Sequence, residues 1–91
     1  MLSERLGKAG ELVEAPENRL ALVDNSGTAY VVSQTAVIVW DAFDDGRTPS
    51  EVAETLAAEA GRSEGELKEA VQTIASQLQE AGLLVPVSRA G

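Results

Sequence analysis

The sequence predicts an α+β domain in which a small antiparallel sheet precedes a cluster of helices. Its β-like runs lie in the first third of the chain, around turn-forming residues at 24–27, and its clearest helical patterns follow residue 48. The chain has 91 residues, of which 44% are apolar, and this is enough for one domain with one core. Aromatic residues are scarce, so Val, Leu, Ile and Ala must fill most of the core.

Three short β runs are predicted in the first part of the chain. The second and third flank Asp24-Asn25-Ser26-Gly27, a group of turn formers in which Gly27 can take a positive φ, and together they predict a hairpin. The runs are Glu11–Ala15, Arg19–Val23 and Thr28–Val32, with Pro16–Asn18 interrupting the chain between the first two. We expect residues 1–10 to be a flexible lead-in and residues 86–91 a flexible tail, which leaves 11–85 as the domain.

The segment around Ala36–Trp40 has two interpretations. Its dense β-branched residues favour a buried strand, whereas the spacing of its apolar residues and of Phe43 equally suits a buried helix. Ser33 would be a suitable N-cap for that helix, and Gly46 in Asp44-Asp45-Gly46 would be its C-cap. Local patterns alone leave the two interpretations open.

The second half of the chain predicts two helices. Thr48-Pro49-Ser50-Glu51 is a capping box with Pro at the first helical position, and Gly61 ends that helix. A second capping box, Ser63–Glu66, opens a long amphipathic helix that Gly82 caps. The apolar residues of this helix recur at helical spacing: Leu67, Ala70, Val71, Ile74, Ala75, Leu78 and Ala81.

The residue inventory argues against catalysis. The chain has no Cys and no His, which removes thiolate nucleophiles, the common zinc and iron ligands, and the side chain best suited to proton transfer near neutral pH. A Ser or Thr nucleophile would need a Lys or a carboxylate as its base. We therefore expect no enzyme activity, no cofactor and no metal.

The net charge of −8 restricts the possible partners. An acidic domain repels nucleic-acid phosphates but can attract basic partners. No apolar run has the length of a membrane span, and Met1–Leu6 lack the features of a signal peptide. We expect a cytoplasmic protein that binds neither nucleic acid nor membrane.

Residues 19–84 resemble the PqqD-like family, also called recognition elements of ribosomally synthesised and post-translationally modified peptides (RiPPs). The family pattern is a hairpin with a Gly turn, an aromatic-rich strand, an aliphatic-Trp pair, an Asp-Gly turn and two amphipathic helices, the second ending in Gly-Leu-Leu. Ser33 stands where the family has Asn. The matching residues are Leu22-Val23-Asp24, Ser26-Gly27, Tyr30, Val32-Ser33, Ala36, Val39-Trp40, Asp45-Gly46, Thr48, Glu51-Val52, Leu56, Leu78 and Ala81-Gly82-Leu83-Leu84.

The resemblance implies a winged-helix-like fold, a three-stranded antiparallel sheet followed by three helices, which makes the ambiguous segment a helix. It also implies that the chain binds the leader peptide of a natural-product precursor, added as a strand to the third strand and packed against the third helix. Carried onto this sequence, the peptide-binding residues are Thr28, Ala29, Tyr30, Val31, Val32, Leu67, Ala70, Val71 and Ile74, with Ala75 beside them.

The partners implied are a precursor leader peptide and a separate modifying enzyme. The composition favours the lasso-peptide type, with a leader protease and a cyclase, over a radical-SAM enzyme. Trp40 and Phe43 share a helical face with Ala36, so we expect them in the core and not at a ligand. Tyr30 is expected to pack inward with Val32.

Three other functions are alternatives. A winged-helix DNA-binding domain would need a basic recognition helix, but residues 64–81 carry four Glu against Lys68 alone. A carrier protein would need an Asp-Ser-Leu triplet and an all-helical fold, and the chain has neither the triplet nor the pattern. A structural or dimerisation module shares every core feature, so only a binding experiment separates it from a peptide-binding protein.

Overall fold

The computed structural model describes residues 5–44 and 46–87 and contains five strands and three helices in that part of the chain. The strands are β1 (Leu6–Lys8), β2 (Glu11–Ala15), β3 (Arg19–Val23), β4 (Ala29–Val32) and β5 (Leu84–Pro86). The helices are α1 (Gln34–Phe43), α2 (Pro49–Ala60) and α3 (Glu64–Glu80). The predicted α+β fold, a three-stranded antiparallel sheet followed by three helices, is confirmed. None of the described helices is both long and apolar enough to cross a membrane.

The three-stranded sheet has the order β2-β3-β4, so β2 and β4 are its two edges. The turn between β2 and β3 is a short 3₁₀ segment, Pro16–Asn18, in which Glu17 and Asn18 take positive φ. Every pairing in the sheet is antiparallel, and Leu22 lies opposite both Leu12 and Tyr30. Because residues directly opposite each other in a ladder project to the same face, these three share one face of the sheet, on which Leu22 lies in the core and Tyr30 packs against it.

The hairpin turn between β3 and β4 is organised by the carboxylate of Asp24. Its Oδ1 atom accepts hydrogen bonds from the Ser26 hydroxyl at 2.7 Å and from the backbone N–H groups of Ser26 and Thr28, both at 2.9 Å. The Tyr30 hydroxyl donates to the other carboxylate oxygen at 3.4 Å. These bonds, that from the Ser26 side chain foremost, hold the pKa of Asp24 below its ordinary value of 3.8.

The lowered pKa of Asp24 predicts a contribution to stability that acid removes. A carboxyl whose pKa is lower in the folded state stabilises that state above the unfolded pKa and loses the effect as pH falls through the folded pKa. We expect the free energy of unfolding of Asp24→Asn to fall less than that of the wild type between pH 6 and pH 2.5, measured by urea denaturation. The same decrease in both proteins would contradict this role for Asp24.

The ambiguous segment is a helix, as the family resemblance implied. Ser33 is its N-cap, and its hydroxyl accepts the Ala36 N–H at 3.1 Å. The C-cap prediction was wrong, because Asp44 and not Gly46 takes the capping position, at φ 46°. Its N–H donates to the Asp41 carbonyl at 3.2 Å, so the chain already turns out of the helix two residues before Gly46. Asp45 lies outside the described residues.

The ends of α2 and α3 largely follow the predicted caps. The Thr48–Glu51 box is complete, and Gly61 ends α2 in the left-handed conformation. At the start of α3 the Ser63 side chain accepts the Glu66 N–H at 3.4 Å, but its hydroxyl donates to the Glu66 carboxylate at 3.0 Å. The second predicted box therefore closes between the two side chains and not on the Ser63 N–H. Gly82, at φ 78°, follows the end of α3.

A second, two-stranded sheet extends the ordered domain beyond the expected boundaries of 11 and 85. β1 pairs with β5, and the Val87 N–H donates to the Arg5 carbonyl at 2.9 Å. Residues 5–10 therefore differ from the flexible lead-in expected from the sequence, because their backbone groups bond to the chain after α3 and to Arg47. The remaining parts of the expected lead-in and tail, residues 1–4 and 88–91, lie outside the described residues.

Trp40 connects the second sheet to the helices. Its side chain is buried, and the indole N–H donates to the Leu83 carbonyl at 3.0 Å and to the Ala9 carbonyl at 3.3 Å. The Lys8 ammonium lies 5.0 Å from the ring centroid. Phe43 is fully buried beside it, so the prediction that both aromatic residues belong to the core is confirmed.

Candidate functional site

The edge strand β4 leaves part of its backbone without a partner in the sheet. The Asp24 N–H donates to the Thr28 carbonyl at 2.9 Å, and hydrogen-bonded pairs alternate along an antiparallel ladder. Every second residue from Thr28 onward therefore bonds to β3. The N–H and C=O groups of the intervening Ala29 and Val31 point to the open edge, where an added strand could bond to them.

The side chains of β4 divide between two environments. Tyr30 and Val32 are half-buried and pack against the core, which confirms that Tyr30 turns inward with Val32. Val31 is 62% exposed and lies on the opposite face of the sheet. An added strand would follow the same alternation, so its side chains would point in turn toward the helices and toward the outer face.

A cavity of about 310 Å³ lies between β4 and the C-terminal half of α3. We call it the β4–α3 groove. None of its lining residues is an acid, Lys or Arg, so it suits contact with the uncharged side chains of a peptide. The lining residues are Tyr30, Val31, Val32, Ser33, Ala36, Ile74, Gln77, Leu78, Ala81 and Leu83.

The predicted site residues are only partly brought together. Tyr30, Val31, Val32 and Ile74 line the β4–α3 groove, whereas the exposed Thr28 and Ala29 belong to the turn and the start of β4. On α3, Val71 is 2% exposed and lies in the core, as does Ala75. Leu67 is half-buried and does not line this groove.

Ala70, also on α3, does not line the β4–α3 groove. It lines a shallow concavity of about 450 Å³ that shares Ile74 with the groove. The observed wall of the groove therefore lies nearer the C-terminal end of α3 than the sequence-based expectation. Gln77, Leu78 and Ala81 line it, and Leu67 and Val71 do not. Helical spacing from Ile74 could have identified these residues, since they follow it by three, four and seven positions.

The other edge of the sheet is less suited to strand addition. β2 carries Glu11 and Glu14, both exposed, and charged side chains on an edge strand discourage pairing with another strand. β4 has no charged residue. Of the two edges, β4 combines open backbone groups with an adjacent uncharged groove.

A larger concavity, of about 760 Å³, lies along α2 and has a different character. It is lined by Arg5, Arg47 and the three acidic residues Glu51, Glu54 and Glu59, among others. Arg5 is already paired with Glu51, at 3.1 Å. The concavity along α2 has no open strand edge beside it, so we favour the smaller β4–α3 groove as the functional site.

Among the described residues, no group of acidic residues is arranged to hold a metal ion.

Comparison with known proteins supports the α+β fold described above. The chain resembles a solved structure described as lasso peptide synthetase B1 complexed with the leader peptide, with a TM-score of 0.65 and 22% sequence identity. The alignment covers 92% of this chain and 100% of that one. Comparison with curated protein sequences gave no match. The family model described as coenzyme PQQ synthesis protein D matches residues 11–84, and the chain therefore belongs to the PqqD family.

Proposed function

We propose that this protein binds the leader peptide of a ribosomally synthesised precursor by adding it as a strand to β4. The observation that carries the proposal is the open backbone of Ala29 and Val31 directly beside the β4–α3 groove. Main-chain hydrogen bonds supply affinity in this mode, and side-chain pockets supply specificity. The proposed contacts comprise the strand and the groove: Ala29, Tyr30, Val31, Val32, Ala36, Ile74, Gln77 and Ala81.

In this proposal the protein presents the bound peptide to a separate modifying enzyme and does not itself catalyse a reaction. The groove offers a strand edge, mostly apolar side chains, the Tyr30 and Ser33 hydroxyls and the Gln77 amide, and this lining suits peptide binding. The structural neighbour is a lasso peptide synthetase component bound to a leader peptide, and this favours a leader protease with a lasso cyclase as the partners. A radical-SAM enzyme is the alternative partner that the PqqD family suggests. The proposed compartment is the cytoplasm.

Ala36→Glu tests the position of the groove without disturbing the fold. Ala36 is the third residue of α1 after the N-cap Ser33, where Glu is a favourable residue because it completes a capping box. A capping carboxylate would still lie in the groove wall, because Ser33 and Ala36 both line the groove. A charge beside the apolar side chains of a bound peptide would cost about 1–3 kcal/mol, which is about tenfold or more in affinity. Titration of a fluorescent peptide, taken from a short precursor encoded beside this protein, measures the change.

The matched control is Ala58→Glu, which adds the same charge to an exposed position of α2 that lines the distant polar concavity. We expect this variant to bind the peptide with wild-type affinity. Circular dichroism verifies that both variants are folded. Equal affinity of folded Ala36→Glu and Ala58→Glu would place the peptide elsewhere on the protein.

A further inference from the structure

The surface of α3 becomes acidic beyond the β4–α3 groove, toward the start of the helix. Ile74 belongs both to the β4–α3 groove and to the neighbouring shallow concavity. The other residues of that concavity are Glu66, Glu69, Ala70 and Thr73. A peptide that follows α3 out of the groove therefore passes from an uncharged wall to one that presents two carboxylates.

Few cations offset these carboxylates. Lys68 is the only basic residue of α3, and it follows Glu66 by two positions, which places it on a different side of the helix. Arg62 approaches Glu66 at 4.0 Å, but both side chains are more than 60% exposed, at 64% and 62%, so this pair is weak. Among the described residues, Glu69 has no ion-pair partner.

The dimensions of the helix relate the acidic wall to the groove. Glu69 and Gln77 are eight residues apart, which is about 12 Å along a helix that rises about 1.5 Å per residue. An extended peptide advances about 3.3 Å per residue and spans this distance in about three or four residues. A short peptide segment that runs along α3 from the groove is therefore long enough to reach the carboxylates.

From this arrangement we infer that the bound leader carries a Lys or Arg about three or four residues from the apolar side chain that fills the β4–α3 groove. The basic side chain pairs with Glu69 and Glu66, while the apolar side chain contacts Ile74 and its neighbours. This inference rests on the proposed function, because it assigns a charge pattern to the peptide that the proposal places on β4. Its physical basis is the charge complementarity between a basic side chain of the peptide and the two carboxylates beside the uncharged groove.

The test is selection from a displayed library of random twelve-residue peptides on the wild-type protein. The selected peptides should share a Lys or Arg at a constant spacing from an apolar residue. For one such peptide, Glu66→Gln with Glu69→Gln should weaken binding about three- to tenfold at low salt, and the difference should shrink at about 0.5 M salt because exposed charges are then screened. In Glu66→Gln the side chain keeps an oxygen that can accept the hydrogen bond from the Ser63 hydroxyl.

The matched control is Glu54→Gln with Glu59→Gln, which makes the same change in net charge at two exposed residues of α2. It should leave the affinity of the peptide unchanged. Equal weakening by both double variants would overturn the inference, because the effect would then follow net charge alone. Selected peptides that lack the basic residue would also overturn it.

A separate measurement distinguishes failure of the inference from failure of the proposed function. The selected peptides should lose binding to a variant with proline at the open edge of β4, Val31→Pro. Peptides that depend on this edge but show no basic residue would overturn the inference and leave the proposed function intact. Peptides that bind Val31→Pro as well as the wild type would overturn both.

Discussion

Val31→Pro should weaken leader-peptide binding by about 2–3 kcal/mol, which is roughly 30- to 150-fold in affinity. The register of the hairpin directs the Val31 N–H to the open edge of β4, so proline removes a donor that an added strand would use. It also leaves an acceptor on the peptide without a partner and places a ring where the new strand must approach. Isothermal titration calorimetry with a synthetic leader peptide measures the loss.

The fold should tolerate this substitution, because proline is accepted on the outward side of an edge strand. Val31→Thr is the matched control, since it keeps the N–H and changes only a side chain that is 62% exposed. We expect Val31→Thr to bind within about threefold of the wild type, because only a polar group at an exposed position differs. Wild-type affinity in a folded Val31→Pro protein would show that the peptide does not pair with β4.

Trp40→Ala should destabilise the fold by about 3–5 kcal/mol, the range for removing a large buried aromatic side chain. Small domains have total stabilities of about 5–15 kcal/mol, so the variant should lose much of its stability. Trp40 belongs to the helical core and also bonds to the carbonyls of Ala9 and Leu83, which directly adjoin the two strands of the second sheet. Urea denaturation followed by circular dichroism is the measurement, because the substitution removes the only tryptophan of the chain.

Trp40→Phe separates packing from hydrogen bonding. It keeps an aromatic ring but removes the indole donor from both carbonyls, of which that of Leu83 still accepts the Ala9 N–H. A lost partner for a buried polar group costs about 1–3 kcal/mol. We expect it to destabilise the protein less than Trp40→Ala and more than an exposed substitution such as Ile38→Val. A loss in Trp40→Ala below about 1 kcal/mol would contradict the role of Trp40 in joining the second sheet to the helices.

Local chemistry was sufficient to predict the hairpin, the N-caps and the amphipathic helix. Asp24-Asn25-Ser26-Gly27 carries its own turn, since the Asp24 side chain bonds to groups two and four residues later. The Thr48–Glu51 box likewise satisfies backbone groups within a single turn. Ser33 was predicted as an N-cap on the same grounds, although the pattern that followed it also suited a strand. The family resemblance settled that choice, and the helix is observed.

The division of α3 between core and groove could not be predicted in the same way. Helical spacing places Leu67, Val71 and Ile74 on one apolar stripe, but it does not say which edge of the stripe meets the sheet. That depends on how the helix crosses β4, and the crossing puts Val71 in the core while Ile74 borders the groove. The strand side of the site came from the family resemblance, which implied that a peptide adds to the third strand, and the structure has β4 at an edge of the sheet.

The sequence by itself therefore determined the elements whose stabilising contacts lie within a few residues of each other: the hairpin, the N-caps and the helical periodicity. Only the tertiary structure decided the pairing of β1 with β5, in which Leu6 lies opposite Pro86, and the position of the groove wall along α3. Strands of three residues carry almost no local signal, and their partner lies at the other end of the chain. The same reason applies to the groove. A cavity between β4 and α3 depends on how these two elements pack against each other, which the local sequence of either element does not determine.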